Sequence, residues 1–276
     1  MRLSACKFVI LQFIHLKLAL HHIGAYVSHW LNEVNEHSIH SPFFYDFYNK
    51  VIKGKSDLTE FTDVEKLRDN MLHNSTEVYI NDLGAGSKLL KKEKRTLEDI
   101  AATSLNSEEF TLLFNRILHY IKAKRVVELG TSLGITSLYL AKKKDCYVYT
   151  FEGSQSLINV ALTNFEYLDV KNIDLIEGNI DNTLSNFLQD PKKLHFVLMD
   201  ANHQYEPTIR YFNLLTKRIA DKGIIVVDDI HWSPDMQRAW KELRQHELVY
   251  GSVDLFRCGL LFFDPTMNRQ HYVWSL

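Results

Sequence analysis

The sequence predicts a doubly wound α/β fold with a mostly parallel seven-stranded sheet, a terminal antiparallel hairpin and an N-terminal helical extension. Three observations carry this expectation. Val126 to Leu129 is a mainly apolar run that breaks into the two-glycine turn Gly130-Thr131-Ser132-Leu133-Gly134. A helical pattern from Ile135 to Lys143 follows, then a second strand, Tyr147 to Phe151, closed by Glu152. Further strand patterns recur near Ile173, Phe196 and Ile224, with helical segments starting near Ser154, Ile180, Tyr205 and Ser233. Five βα units in succession imply a parallel sheet with helices on both faces, because right-handed crossovers place them there. Finally, 248–255 and 260–263 are β-rich stretches around a short turn, which suits an antiparallel hairpin at one sheet edge.

Ahead of the first strand the pattern is helical. Phe8 to Leu20 is apolar but interrupted by Gln12, His15 and Lys17. It is shorter than the roughly 20 residues a bilayer crossing needs, so it reads as an amphipathic docking helix with at most weak peripheral membrane contact. Ser41-Pro42 supplies a capping hydroxyl and a first-turn proline for a helix carrying Phe43, Phe44, Phe47 and Val51 on one face. Ser107, with Glu108 and Glu109 behind it, opens a second helix whose stripe is Phe110, Leu113, Phe114, Ile117, Leu118 and Ile121. The histidines of the extension, His21, His22, His29, His37 and His40, lack accompanying acids or cysteines and read as surface or packing residues.

With 276 residues, 46% hydrophobic and 24% charged, the chain can bury a full core. Its 32 basic and 34 acidic residues nearly cancel, so no bulk attraction to nucleic acid or anionic membranes is expected, and a small-molecule partner is the default. Cys6, Cys146 and Cys258 are far apart and form no CxxC pair, which argues against a disulfide framework or a zinc site and for a cytoplasmic setting.

The glycine turn admits three chemistries. A dinucleotide fingerprint would place glycines at 130, 132 and 135, where this chain has Ser132 and Ile135 at the last two. Gly130-Thr131-Ser132-Leu133-Gly134 also spells the G-x-S-x-G of a hydrolase nucleophile elbow, with Asp228 and His231 or His246 following in order. That reading leaves Glu128 and Glu152 without a task. The third is a nucleoside-bearing cofactor other than a dinucleotide, with Glu152 accepting from ribose hydroxyls. Asp82-Leu83-Gly84-Ala85-Gly86-Ser87 has similar letters, but a basic run follows it instead of a second strand and acid, so it reads as a structural turn or substrate-side loop.

Two apolar strands end in acids: Phe196 to Met199 in Asp200, and Ile224 to Val227 in Asp228-Asp229. One βα unit separates them, so they are expected as neighbours about 5 Å apart whose ends open into one crevice. Three carboxylates there repel one another unless a proton or a cation intervenes, and a hard divalent ion such as Mg²⁺ suits oxygen donors. Asp200, Asp228 and Asp229 are therefore candidate metal ligands.

Glu128-Leu129-Gly130, Gly134 and Thr136 in this spacing, with Glu152 after the next strand, resemble the first motifs of the class I S-adenosylmethionine-dependent methyltransferases over about residues 104–264. The resemblance implies a Rossmann-like methyltransferase domain at 104–276 behind an extension at 1–103. It also implies S-adenosylmethionine as cofactor, against Glu128, Gly130, Thr131, Ser132, Gly134, Thr136, Glu152, Gly178, Asn179 and Asp200. The acid pattern resembles the metal-dependent small-molecule O-methyltransferases of the catechol, caffeoyl-CoA and macrocin types, which implies hydroxyl methylation assisted by a divalent cation at Asp200, Asp228 and Asp229. Several of those enzymes carry a lysine base three residues beyond the first acid, and this chain has His203 there, so His203 and Asp200 are the expected catalytic residues. Metal-independent methyl transfer, a non-catalytic cofactor-binding scaffold and a homodimer are also compatible with the sequence.

Overall fold

The computed structural model describes residues 18–81 and 92–276. The first helix covers residues 18–32 (α1), so the apolar stretch from Phe8 and the Asp82 to Ser87 loop lie largely or wholly outside the described residues. Pro42–Phe47 (α2) runs on as a π-helical turn to Ile52, and Thr62–Leu72 (α3) follows. Ser41 caps α2 as its sequence implies, accepting from the Phe44 amide, and Phe44, Phe47 and Val51 are fully buried. Glu77–Asn81 (β1) and Lys92–Thr96 (β2) pair antiparallel as a separate two-stranded ribbon, an element the helical pattern of the extension did not reveal. Leu97–Ser104 (α4) and Glu108–Tyr120 (α5) lead into the main sheet.

That sheet is built from Arg125–Leu129 (β3), Tyr147–Glu152 (β4), Ile173–Glu177 (β5), Leu194–Met199 (β6), Ile219–Val227 (β7), Gly251–Asp254 (β8), Gly259–Phe262 (β9) and Gln270–Val273 (β10). Its order is β10-β8-β9-β7-β6-β3-β4-β5, parallel except where β9 runs antiparallel to β7 and β8. The connecting helices are Ile135–Ala141 (α6), Gln155–Tyr167 (α7), Ile180–Phe187 (α8), Tyr205–Leu215 (α9) and Pro234–Leu243 (α10).

Two expectations are corrected. The sheet has eight strands, not seven, and the β8–β9 hairpin is not its edge, because β10 pairs in parallel with β8 outside it. The signal for β10 is weak: four residues, Gln270 to Val273, with polar side chains at two of them.

Strand alternation explains the layers. Val126, Phe196, Leu198, Ile224 and Val226 face one core with α2 and α5, whereas Val127, Val197, Met199, Ile225 and Val227 face the other with α8, α9 and α10. Nine-residue β7 pairs with β6 at Ile219 and again from Ile224 onward, and the register shift between those points leaves Asp221 and Lys222 exposed while Ile224 to Val227 form the buried apolar run. With both faces covered, the ligand-accessible edge of the sheet is where β3, β4, β6 and β7 end, at the reversal of strand order between β3 and β6. Among the described residues no helix is long and apolar enough to cross a membrane.

Candidate active site

A cavity of about 600 Å³ lies at those strand ends. The volume is in the range of small-molecule sites. At one end the turn after β3 is held close to the next crossover. Gly130 has φ +101°, and a side chain there would put Cβ 2.1 Å from the Asp200 carbonyl oxygen, so only glycine lets the two loops approach. A Cβ at Gly134 (φ +80°) would likewise lie 2.6 Å from the Phe165 ring.

Glu152 sits at the end of β4. Its Oε1 accepts from the Gly153 and Ser154 amides and its Oε2 from the Ser132 amide, all at 2.9 Å. Burial raises its pKa and these three donors counter the rise. Three amides fix the carboxylate while Oε2 keeps a lone pair for a ligand hydroxyl. Asn179, the N-cap of α8, lines the same end, and Gly178 makes its turn at φ +119°.

Not every motif residue reaches the cavity. Glu128 is 1% exposed and points beneath the loop, accepting hydrogen bonds from Ser137 and from Thr150 at 2.6 Å. Burial pushes its carboxyl up to about 8. Thr131 is turned to the Thr150 hydroxyl at 2.6 Å, and Thr136 is buried beside Asn106. These side chains hold the loop from below.

The other end of the cavity gathers Asp200, His203, Asp228 and Asp229, as the strand-end acids predict. His203 lies between two carboxylates, with Nε2 3.3 Å from Asp200 Oδ1 and Nδ1 3.7 Å from Asp229 Oδ2. Burial alone would lower its pKa, but the hydrogen bond and charge of Asp200, then Asp229 and Asp228, outweigh it and raise His203 to about 9. Asp228 is 1% exposed and is pushed up to about 8 by burial and by Asp200. Asp229 is also raised, by burial first, against the pull of His203.

Two residues in this cluster escaped the sequence. Asn106, just ahead of α5, is buried and donates from Nδ2 to Asp200 Oδ2 at 2.9 Å. Arg257, in the β8–β9 turn, places Nη2 3.4 Å from Asp228 Oδ2. Backbone geometry marks the same place: Ser132, Asn202, His203 and Asp229 all line the cavity with positive φ, between +22° and +64°. Such conformations cost of order 1–2 kcal/mol each and collect where function over-determines them.

The donor set does not fit a divalent cation. Asp200 already takes the Asn106 amide and the His203 ring, Asp229 faces the other ring nitrogen, and Asp228 faces a guanidinium. Among the described residues no group of three or more His, Cys, Asp or Glu side chains is arranged to hold a metal ion. Nor does the hydrolase triad assemble. Ser132 Oγ meets Ser104 Oγ at 3.0 Å, His231 binds Asp254 at 2.8 Å, and His246 lies against Phe212.

Comparison with known proteins bears on the fold. The family model described as a methyltransferase domain matches residues 127–230. No curated protein matches the chain. Among solved structures, the O-methyltransferase TomG of Streptomyces achromogenes, involved in tomaymycin synthesis and solved in complex with SAM, is similar at 18% identity and TM-score 0.56, covering 79% of this chain and 95% of its own. A structure described as a putative caffeoyl-CoA O-methyltransferase from Staphylococcus aureus is similar at 14% identity and TM-score 0.53, over 80% and 97% of the two chains. The O-methyltransferase of Bacillus cereus in complex with SAH is similar at 14% identity and TM-score 0.52, over 79% and 96%.

Proposed function

We propose that this chain, in which residues 127–230 carry a methyltransferase domain, methylates an acidic hydroxyl of a small molecule using S-adenosylmethionine. The observation that carries the reading is one cavity with Glu152, held by three amides, at one end and His203, held between two carboxylates, at the other. S-adenosylmethionine, when bound, supplies an electrophilic methyl group. Glu152 is the residue to hold its ribose, with the Gly130 turn and Asn179 beside it.

The chain's own residues then handle the acceptor proton. Raised to about 9 by its carboxylate neighbours, His203 is protonated at neutral pH and becomes a base as the pH rises toward that value; the neutral ring then keeps Nε2–H on Asp200 and offers Nδ1, 3.7 Å from Asp229, to a hydroxyl. Asn106 keeps Asp200 in place. A base near 9 takes a proton from a phenol, whose pKa is about 10, with little cost. An aliphatic hydroxyl, close to water at about 15.7, would demand roughly 9 kcal/mol. The site therefore favours phenols, catechols and enols over sugar hydroxyls.

The test is calorimetry with S-adenosylhomocysteine followed by an acceptor panel of a catechol, a simple phenol and a sugar. The expected results are a micromolar complex, weakened at least tenfold in E152A, and turnover with the phenols alone. H203Q is expected to lose about 10² to 10⁴ in kcat at unchanged S-adenosylhomocysteine affinity. Absence of binding would sink the reading, and turnover of the sugar alone would overturn its acceptor class.

A further inference from the structure

Asp200, Asp228 and Asp229 invite a cation, and the chain supplies one from an unexpected direction. The β8–β9 turn is fixed on several sides. The Ile230 amide donates to the Arg257 carbonyl at 3.1 Å, joining the turn to the loop that carries Asp228 and Asp229. The Phe256 amide donates to Asp254 Oδ1 at 2.9 Å, and Phe256, at φ +65°, is packed edge-on by Tyr26 and His29 of α1. A turn held this way delivers Arg257 into the cavity wall, with its guanidinium 5.7 Å from the Phe110 ring and 3.4 Å from Asp228. Arg257 Nε and Asp228 Oδ1 are both buried and bear no hydrogen bond, so the two groups face each other with capacity in reserve.

We propose that Arg257 is the resident cation of the Asp200, Asp228 and Asp229 cluster, its guanidinium standing where a divalent metal ion would otherwise neutralise the carboxylates and orient the acceptor oxygen. The proposal rests on reading the cavity as a methyl-transfer site. Arginine suits the place because its charge is permanent and its planar fork offers several donors at once, toward Asp228 on one side and an acceptor oxygen on the other. It also disfavours a metal: a second cation beside this half-buried guanidinium is repelled, and Asp228 cannot serve both. Arg257 acts here as a positioning residue.

The test needs no knowledge of the acceptor. Mn²⁺ alone is titrated into the full chain saturated with S-adenosylhomocysteine, and bound ion is read by electron paramagnetic resonance. The wild-type protein is expected to bind no Mn²⁺ below millimolar concentration. R257A and R257Q are expected to bind it at least tenfold more tightly, and R257K, which keeps the charge, to stay silent. Circular dichroism and S-adenosylhomocysteine affinity report that each variant is folded. Micromolar Mn²⁺ binding by the wild type, a reading independent of any variant's stability, overturns the proposal; so does a folded R257A or R257Q indistinguishable from the wild type. Failure of S-adenosylhomocysteine to bind the wild type strikes instead at the methyl-transfer reading, so the two failures are separable.

Discussion

Replacing Gly130 by alanine is expected to abolish useful cofactor affinity. The added Cβ would lie 2.1 Å from the Asp200 carbonyl oxygen and 3.0 Å from its carbon, both backbone atoms that no rotamer change can move aside. The residue would also have to hold φ +101°, which L side chains rarely adopt. Left-handed strain of roughly 1–2 kcal/mol adds to overpacking of roughly 1–3 kcal/mol, and the relief must come from separating the β3 and β6 loops. Those loops carry Ser132, whose amide anchors Glu152, and Asp200, which anchors His203. A loss of about 3 kcal/mol corresponds to more than 100-fold in the dissociation constant for S-adenosylhomocysteine. The melting temperature should fall by about 5–10 °C. G24A is the control, since nothing lies within 4 Å of the Cβ position at Gly24 in α1. A G130A protein that binds as tightly as wild type would show that the close approach of the loops is not needed.

Exchanging Glu128 for glutamine is expected to stabilise the fold, and more so as the pH rises. In the unfolded chain this carboxyl titrates near 4.5, whereas burial in the fold raises it to about 8. Between those values the folded state binds more protons than the unfolded state, so stability falls as pH rises through the window. Keeping Glu128 buried at pH 7 costs roughly 3 kcal/mol relative to pH 4. Glutamine retains an acceptor for Ser137 and Thr150 and has no charge to desolvate. Thermal unfolding of wild type and E128Q between pH 5 and 8.5 checks this: the curves should converge at the acid end and separate steadily above. Parallel curves would mean that Glu128 is ionised in the fold.

The same residue shows what the sequence could and could not reveal. Its place in the first motif suggested contact with a cofactor. Strand alternation holds a different message, since Val127 and Leu129 face one core and Glu128 must face the other, beneath α6. The βα succession was legible because most of these strands are apolar runs ended by an acid or glycine, and the acids after β6 and β7 open into one crevice as expected. Asn106 and Arg257 were not legible. Each reaches its aspartate over a long sequence separation, from a loop before a helix and from a hairpin turn, and neither position carries a periodicity that would single it out. What closes around the acids is decided by tertiary packing.

The eighth strand bears on how the molecule is made. β10 lies at the sheet edge, Val34 donates its amide to the Val273 carbonyl, and the fully buried Trp274 stacks against Tyr272 and meets Tyr48 edge-on. The segment between α1 and α2 and the helix after it therefore find their long-range backbone and ring partners in residues synthesised near the far end of the chain. On a ribosome, the βα units from β3 to β7 can pair in succession while Phe44 and Tyr48 still lack the strand and the indole they pack against. Long-range closure of this kind is slow, and it leaves apolar surface uncovered until late in synthesis. A nascent chain stalled before residue 270 would thus present an unfinished core to chaperones, with the crevice at the strand ends already formed.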